Sequence, residues 1–374
     1  LKTFANCSNL CSNWLIVVDE VEGKRYDESD AIGEGTPVFS PDSKRVAYGA
    51  GCGDAAFVVV DVREGKGHDG LMTPVFSADS KRVAYMAGRA QRRFVVVDEL
   101  PGKAYEGILG GTPIFGPDSA RVAYGAKRGA KWVVVLDGMK SKEYDGITTD
   151  SLRFSPDSHH LAYGAVLGSG WMVVVDGKEG ERYDGIGKAS VQFSPDGKRL
   201  AYAAKRGTKW LLVVDGIGGK EYTGVGDMTF SPDSKHLAYA AENRDRWFVV
   251  VDRNEGSSYD GIRGSKHAIV FSPDSKRVAY GALRAGKHVV VVRGVEGDGH
   301  EKSGGGTPVF SPDSKRFAYV QSAGAKAQVV VDERAQEEFD EIVSSSLVFS
   351  PDSRRVAYLA ASGAKYFVVV DGVE

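Results

Sequence analysis

Short apolar runs broken by polar turns recur along the whole chain, and none has the length or period of a helix. Residues 112–147 show the pattern clearly. Thr112 to Phe115 is a short extended run, closed by Gly116-Pro117-Asp118-Ser119. Proline presets the φ of a turn's second residue, and the neighbouring Asp bonds its own downstream backbone, so this is a tight turn between strands. Arg121-Val122-Ala123-Tyr124 then alternates as a half-buried strand does. After a Gly/Ala/Lys loop, Trp132-Val133-Val134-Val135-Leu136-Asp137 reads as a β-branched strand covered on both faces. Tyr144-Asp145-Gly146-Ile147, beyond Gly138 and a charged turn, is the expected fourth strand. The short connections leave no room for a helix and predict an antiparallel meander.

This unit repeats. Its anchoring phenylalanine returns as Phe39, Phe76, Phe115, Phe154, Phe193, Phe230, Phe271, Phe310 and Phe349, at spacings of 37, 39, 39, 39, 37, 41, 39 and 39 residues. A period near 40 residues denotes a repeat architecture. One four-stranded sheet cannot bury both its faces, whereas a ring of them packed at about 10 Å can. The expectation is therefore an all-β fold: residues 1–374 form a single β-propeller of nine four-stranded antiparallel blades. Trp14, Trp132, Trp171, Trp210 and Trp247 open the third strand, with Phe57, Phe94 and Tyr366 near that place elsewhere, and pack between blades. Ala47, Ala84 and Ala123 keep side chains small where sheets approach.

The run Phe-Ser-Pro-Asp-Ser/Gly-Lys-Arg-Val/Leu-Ala-Tyr, followed by an aromatic-led strand ending in Asp-Gly, resembles the TolB-like (WD-like) propeller repeat over essentially the whole chain beyond residue 13. It departs in carrying Ser where family members often have Gly; Gly197 keeps the Gly. The separate N-terminal domain of the family's namesake has no counterpart in these residues. The resemblance implies that the first strand of each repeat lies nearest a central channel and the fourth lies outermost. Residues 1–28 are expected to close the ring, with Lys24-Arg25-Tyr26-Asp27 completing the last blade. Trp14 to Asp19 is also a third strand that competes with Tyr366 to Asp371, and Lys2 to Ala5 resembles a worn second strand. A ten-bladed ring is thus the alternative, as is a fragment of a longer array.

Whole-chain properties narrow the function. Lys+Arg 48 against Asp+Glu 50 gives a net charge of -2, without the basic field that nucleic acid requires. The longest apolar runs, such as Val58-Val59-Val60, are too short to span a bilayer. Residues 1–13 lack the features of a signal peptide, as a processed chain also would, so the compartment stays open. Cys7, Cys11 and Cys52 make neither a disulfide framework nor a metal spacing. The chain is expected to be a monomer.

Catalytic motifs are absent. There is no Gly-x-Ser-x-Gly elbow, and Gly168-Ser169-Gly170 is a loop. The seven histidines (68, 159, 160, 236, 267, 288 and 300) make no metal-binding pair; His159 and His160 read as surface drift in a Lys-Arg slot. Gly110-Gly111-Thr112 and Gly304-Gly305-Gly306 precede no helix and read as turns. The recurring turn Asp supplies too few oxygens for calcium and reads as a turn cap. No cofactor and no metal are expected.

Two binding candidates remain. One is a basic rim on the loops between second and third strands: Arg89, Arg92, Arg93, Lys127, Arg128, Lys131, Lys205, Arg206, Lys209, Arg284 and Lys287. Acidic residues of the outer-to-inner connections (Asp27, Glu28, Asp30, Glu34, Asp145, Asp150, Asp340, Glu341) should share that rim. The cations there either screen those acids or bind an acidic partner. The other is a break in symmetry. The residue before the anchor Phe is apolar in six repeats but Arg153, Gln192 and Thr229 in three consecutive ones, with Asp150, Lys188 and Asp227 upstream. Consecutive repeats are adjacent blades, so these residues are expected to form one sector near the channel, where a polar group must find water or a ligand because burying it unpaired costs about 1–3 kcal/mol. The leading expectation is a non-enzymatic scaffold that binds a protein or peptide through its loop face and channel mouth. The alternatives are a channel-sited enzyme acting on a small or sugar-like substrate, and a recently amplified repeat scaffold without a tuned ligand.

Overall fold

The turn residues and β-branched runs direct the chain into strands almost everywhere. In the computed structural model, residues 16–18, 20–24, 26, 37–52, 55–263, 269–297, 308–323 and 325–373 are described. Among them the single helical element is a 3-10 turn at Ser344–Ser346; the rest is antiparallel strand and turn. The chain divides into two compact units, Leu1–Val191 and Gln192–Glu374. Both are built from four- and five-stranded sheets, one around each anchor Phe, and the first also holds a two-stranded sheet.

The sheet around Phe115 stands for the others. Ile114–Phe115 pairs with the long strand Val122–Arg128, which pairs with Lys131–Leu136, which pairs with Met139–Lys140. Asp137 and Gly138, both at positive φ, make the two-residue hairpin between the last two. That geometry follows the right-handed twist of the strands and suits an Asp-Gly pair. The expected fourth strand divides here. Tyr144 bridges Trp132 of its own sheet, but Gly146–Ile147 has crossed over and pairs with Leu161–Leu167 of the next. That long strand also takes Arg153–Phe154, so the edge of this sheet comes from two segments around a short insert, whereas in the Phe230 sheet the edge is one irregular strand, Gly224–Phe230. The insert absorbs the uneven period. The Gly precedes the anchor Phe by six positions in the repeats reached after 37 residues (Gly70 to Phe76, Gly224 to Phe230), and by eight in repeats reached after 39 such as Gly146 to Phe154.

Packing follows from side-chain size. Ala47, Ala84 and Ala123 are fully buried, as the close approach of sheets requires. In the first unit Tyr144, Leu152, Tyr163, Met172 and Val174 form one core cluster, against which Trp132 packs; in the second unit Trp247 packs on another.

The Ser-Pro-Asp-Ser-Lys-Arg turn holds successive repeats together. Within its own turn, Ser77 Oγ donates to Asp79 Oδ1 (2.6 Å), and the Lys81 and Arg82 amides are accepted by Asp79 and by Ser77 Oγ. Arg82 Nε reaches Asp98 Oδ2 at 2.8 Å, and Asp98 Oδ1 accepts the Val83 amide. The remaining bonds leave the repeat. The Asp79 amide donates to Ser119 Oγ (2.8 Å), and Arg82 Nη1 donates to the carbonyls of Ser119 and Ala120. The guanidinium lies 5.4 Å from the Phe115 ring centroid. The departure from Gly now has a reason. The second serine sits at positive φ (Ser119 +63°), where a side chain costs about 1–2 kcal/mol, but its hydroxyl accepts the previous repeat's amide. That bond recurs at Ser80 and Ser158 in the first unit and at Ser234, Ser275, Ser314 and Ser353 in the second. His160 is not drift: it keeps the contact with the strand-end aspartate, Asp176, as His236 does with Asp252.

These bonds imply acid sensitivity. The serine hydroxyl, and after it a backbone amide, holds the turn carboxyls of Asp79, Asp157, Asp233 and Asp313 below the ordinary carboxylate range. A carboxyl whose folded pKa is depressed contributes stability above its unfolded value, about 3.9, and loses it as pH falls through the folded value. The melting temperature should therefore hold from pH 7 to 5 and drop below about pH 4. Asp79→Asn should flatten that drop; an unchanged acid limb in the variant would contradict the assignment.

Val17–Val18 pairs with Val21–Glu22 and joins no other sheet among the described residues; Ile16 and Tyr26 pack on Tyr48, Ala50 and Val59. The remaining expectations for the N-terminus lie outside the described residues: Lys2 to Ala5, Cys7, Cys11, Trp14, and the Arg25 and Asp27 of the closing strand. The acidic Glu28, Asp30 and Glu34 and the Gly304–Gly306 turn do too.

Candidate functional site

The hairpin tips between the long strands carry the basic residues, and the acidic connections do lie beside them. Glu106 Oε2 accepts the Gly129 amide of the next tip (3.0 Å), Asp145 Oδ2 that of Gly168 (2.7 Å) and Asp69 Oδ2 that of Ala90 (2.5 Å). In the second unit Asp260 and Asp340 hold Ala285 and Gly363 likewise. Each acid thus pins a neighbouring tip; the Gly129 amide holds the Glu106 carboxyl below its ordinary range, and Lys131, then the Gly168 amide, do the same for Asp145.

The cations divide into two sets. Arg92 pairs with Glu106 (2.7 Å), Arg128 with Glu143 (2.8 Å), Lys131 with Asp145 (2.5 Å), Arg206 with Glu221 (3.3 Å) and Arg284 with Glu296 (2.8 Å). Among the described residues, Arg89, Arg93, Lys127, Lys205, Lys209 and Lys287 have no carboxylate within ion-pair distance; Lys205 lies 5.9 Å from the Trp210 ring centroid. Three of these six belong to each unit.

The polar residues before the anchor Phe take the register expected of them: Arg153 opposite Ala162, Gln192 opposite Ala201 and Thr229 opposite Ala238. All three reach solvent, so water can satisfy them. Arg153 is exposed, Gln192 and Thr229 are half-buried, and so are most of the apolar residues at this position. In the first unit Asp150 and Arg153 share one insert. The Asp150 carboxylate lies 2.8 Å from where a Cβ on Gly111 would sit, and Gly111 has a φ of +75°; a side chain there would be strained and crowded. Arg153 Nη1 donates to the Leu152 carbonyl (3.1 Å), and Lys188 is exposed. In the second unit Asp227 is exposed, and Thr229 Oγ1 donates to the Phe230 carbonyl (3.3 Å). The inserts are held by hydroxyls that the sequence reading passed over. Ser151 Oγ donates to the Thr148 carbonyl and accepts the Gly164 amide, and Ser346 does the same with Val343 and Leu359.

Clefts open at the outer seams between repeats: about 280 Å³ beside Tyr85, 220 Å³ beside Tyr239 and 690 Å³ beside Tyr319. Among the described residues no three His, Cys, Asp or Glu are grouped to hold a metal ion, and no helix is long and apolar enough to cross a membrane.

No protein-family model matches the chain, and no curated protein matches it. Solved structures do resemble it. A eukaryotic initiation factor is 13% identical at a TM-score of 0.46, over 86% of this chain and 91% of that one. TolB from Acinetobacter baumannii is 17% identical at 0.29, over 60% of this chain and 61% of its own. The β-propeller domain of the trilobed protease from Pyrococcus furiosus is 14% identical at 0.33, over 72% and 95%. Likenesses this loose decide nothing about what the chain does.

Proposed function

We propose that this chain is a non-enzymatic β-propeller scaffold whose hairpin-tip face binds an acidic protein or peptide. Nine repeats of the TolB-like kind would form its blades. The observation that carries the reading is the division among the tip cations. The acids on that face are engaged in pinning tips and neutralising five of the basic residues, which leaves Arg89, Arg93 and Lys127 in one unit and Lys205, Lys209 and Lys287 in the other for a partner's carboxylates. Fixed tips reduce the entropy lost on docking, and exposed charges of one sign speed association with the opposite sign.

Poly-L-glutamate is a sufficient probe. Its binding, read by fluorescence anisotropy, should weaken about tenfold between 50 and 300 mM salt, since screening shortens the reach of exposed charges. Replacing Lys127, Lys205, Lys209 and Lys287 with Glu should abolish it while the thermal unfolding transition stays in place. Binding that survives the four reversals would overturn the proposal.

A further inference from the structure

One column of residues packs the seam between successive repeats. Tyr26, Tyr105, Tyr144, Tyr183, Tyr222 and Tyr259 occupy it, with Phe339 near the C-terminus, and all are buried. The ring meets the Tyr of the next long strand edge-on, as in Tyr105–Tyr124 (6.4 Å between centroids) and Tyr222–Tyr239 (6.3 Å). Its hydroxyl can be taken by a glutamate of the following repeat: Tyr222 donates to Glu255 (2.9 Å) and Tyr259 to Glu296 (3.1 Å).

At one seam among the described residues both partners change. His68 stands in the tyrosine column, bridging Ala56 as Tyr144 bridges Trp132. Pro101 stands where Glu255 and Glu296 stand in their repeats. The imidazole keeps the edge-on contacts, 6.2 Å from Tyr85 and 5.4 Å from Phe94, but it is shorter than a phenol. A cavity of about 280 Å³ opens there, lined by Lys66, His68, Tyr85, Arg89, Phe94 and Glu99 among others. His68 is 6% exposed, and neither ring nitrogen reaches a hydrogen-bond partner in the protein. Buried polar atoms left unpaired cost about 1–3 kcal/mol each.

These groups define a complementary molecule. Arg89 and Lys66, without an ion pair among the described residues, suit a carboxylate. Neutral imidazole offers one donor and one acceptor, so it takes a hydroxyl or an amino group. Phe94 and Tyr85 suit a compact apolar body. We propose that the His68 cavity binds a small carboxylate bearing an amino or hydroxyl group next to the acid. This site lies in a seam, apart from the face that would take an acidic partner, and the two meet at Arg89 alone.

Lactate, alanine and propionate separate the elements of the proposal, because propionate lacks the donor. With the full chain, lactate or alanine should bind with a Kd of about 1 mM, as befits so few atoms, and shift the His68 ring resonances. Propionate should bind about tenfold more weakly. His68→Tyr, which restores the residue of the other seams, should abolish lactate binding and leave poly-L-glutamate binding unchanged. Arg89→Gln, at an exposed position, should weaken lactate about tenfold. Absence of binding by wild type, equal binding of propionate, or lactate binding that persists in His68→Tyr would each overturn the assignment.

Discussion

Replacing Tyr222 with Ala should lower the unfolding free energy by about 3–5 kcal/mol, the range for removing a large buried aromatic side chain. The residue is 1% exposed. It meets Tyr239 and Phe248 edge-on at 6.3 and 5.6 Å and donates its hydroxyl to Glu255. Truncation removes the ring contacts and leaves a void that the stiff sheets on either side cannot close. Tyr222→Phe separates the contributions, since it deletes only the hydroxyl and should cost about 1 kcal/mol. Denaturant titration of the two variants checks both figures. A Phe variant as damaged as the Ala variant would show that the hydroxyl, not the ring, holds the seam.

Arg82→Ala should cost about 2 kcal/mol, combining lost charge-assisted bonds with a lost cation–π contact and discounted for solvent exposure. One guanidinium reaches Asp98, two carbonyls of the next repeat and the face of Phe115. Lysine cannot reproduce that fork, so Arg82→Lys should recover less than half of the loss. The measured quantity is the midpoint shift on urea unfolding; full recovery by Lys would reduce the contact to simple charge.

Much of this architecture is legible in the residues. The anchor Phe, the Pro-Asp turn and the Val-rich strand each report a local preference, and nine copies turn such preferences into a fold class. The capping role of the turn Asp was readable for the same reason. What could not be read is where the chain passes from one sheet to the next. Tyr144-Asp145-Gly146-Ile147 is continuous in character, yet Tyr144 pairs backward and Gly146 forward, because an extended segment pairs with whichever long strand lies beside it. The polar trio at Arg153, Gln192 and Thr229 is legible as a break in the pattern, but how far each side chain reaches solvent depends on the packing of the edge strand, which no local pattern encodes. His68 was overlooked among seven histidines. Its signal was available by setting the repeats against one another, where it stands in a column of tyrosines.

The crossing of Gly146–Ile147 into the following sheet bears on how such a chain grows. A duplicated stretch of gene need not begin or end at the border of a sheet, because each new copy arrives carrying the edge its successor will lean on and receives its own from its predecessor. Lengthening the array by one therefore demands no new interface, and numbers can drift while the joinery stays the same.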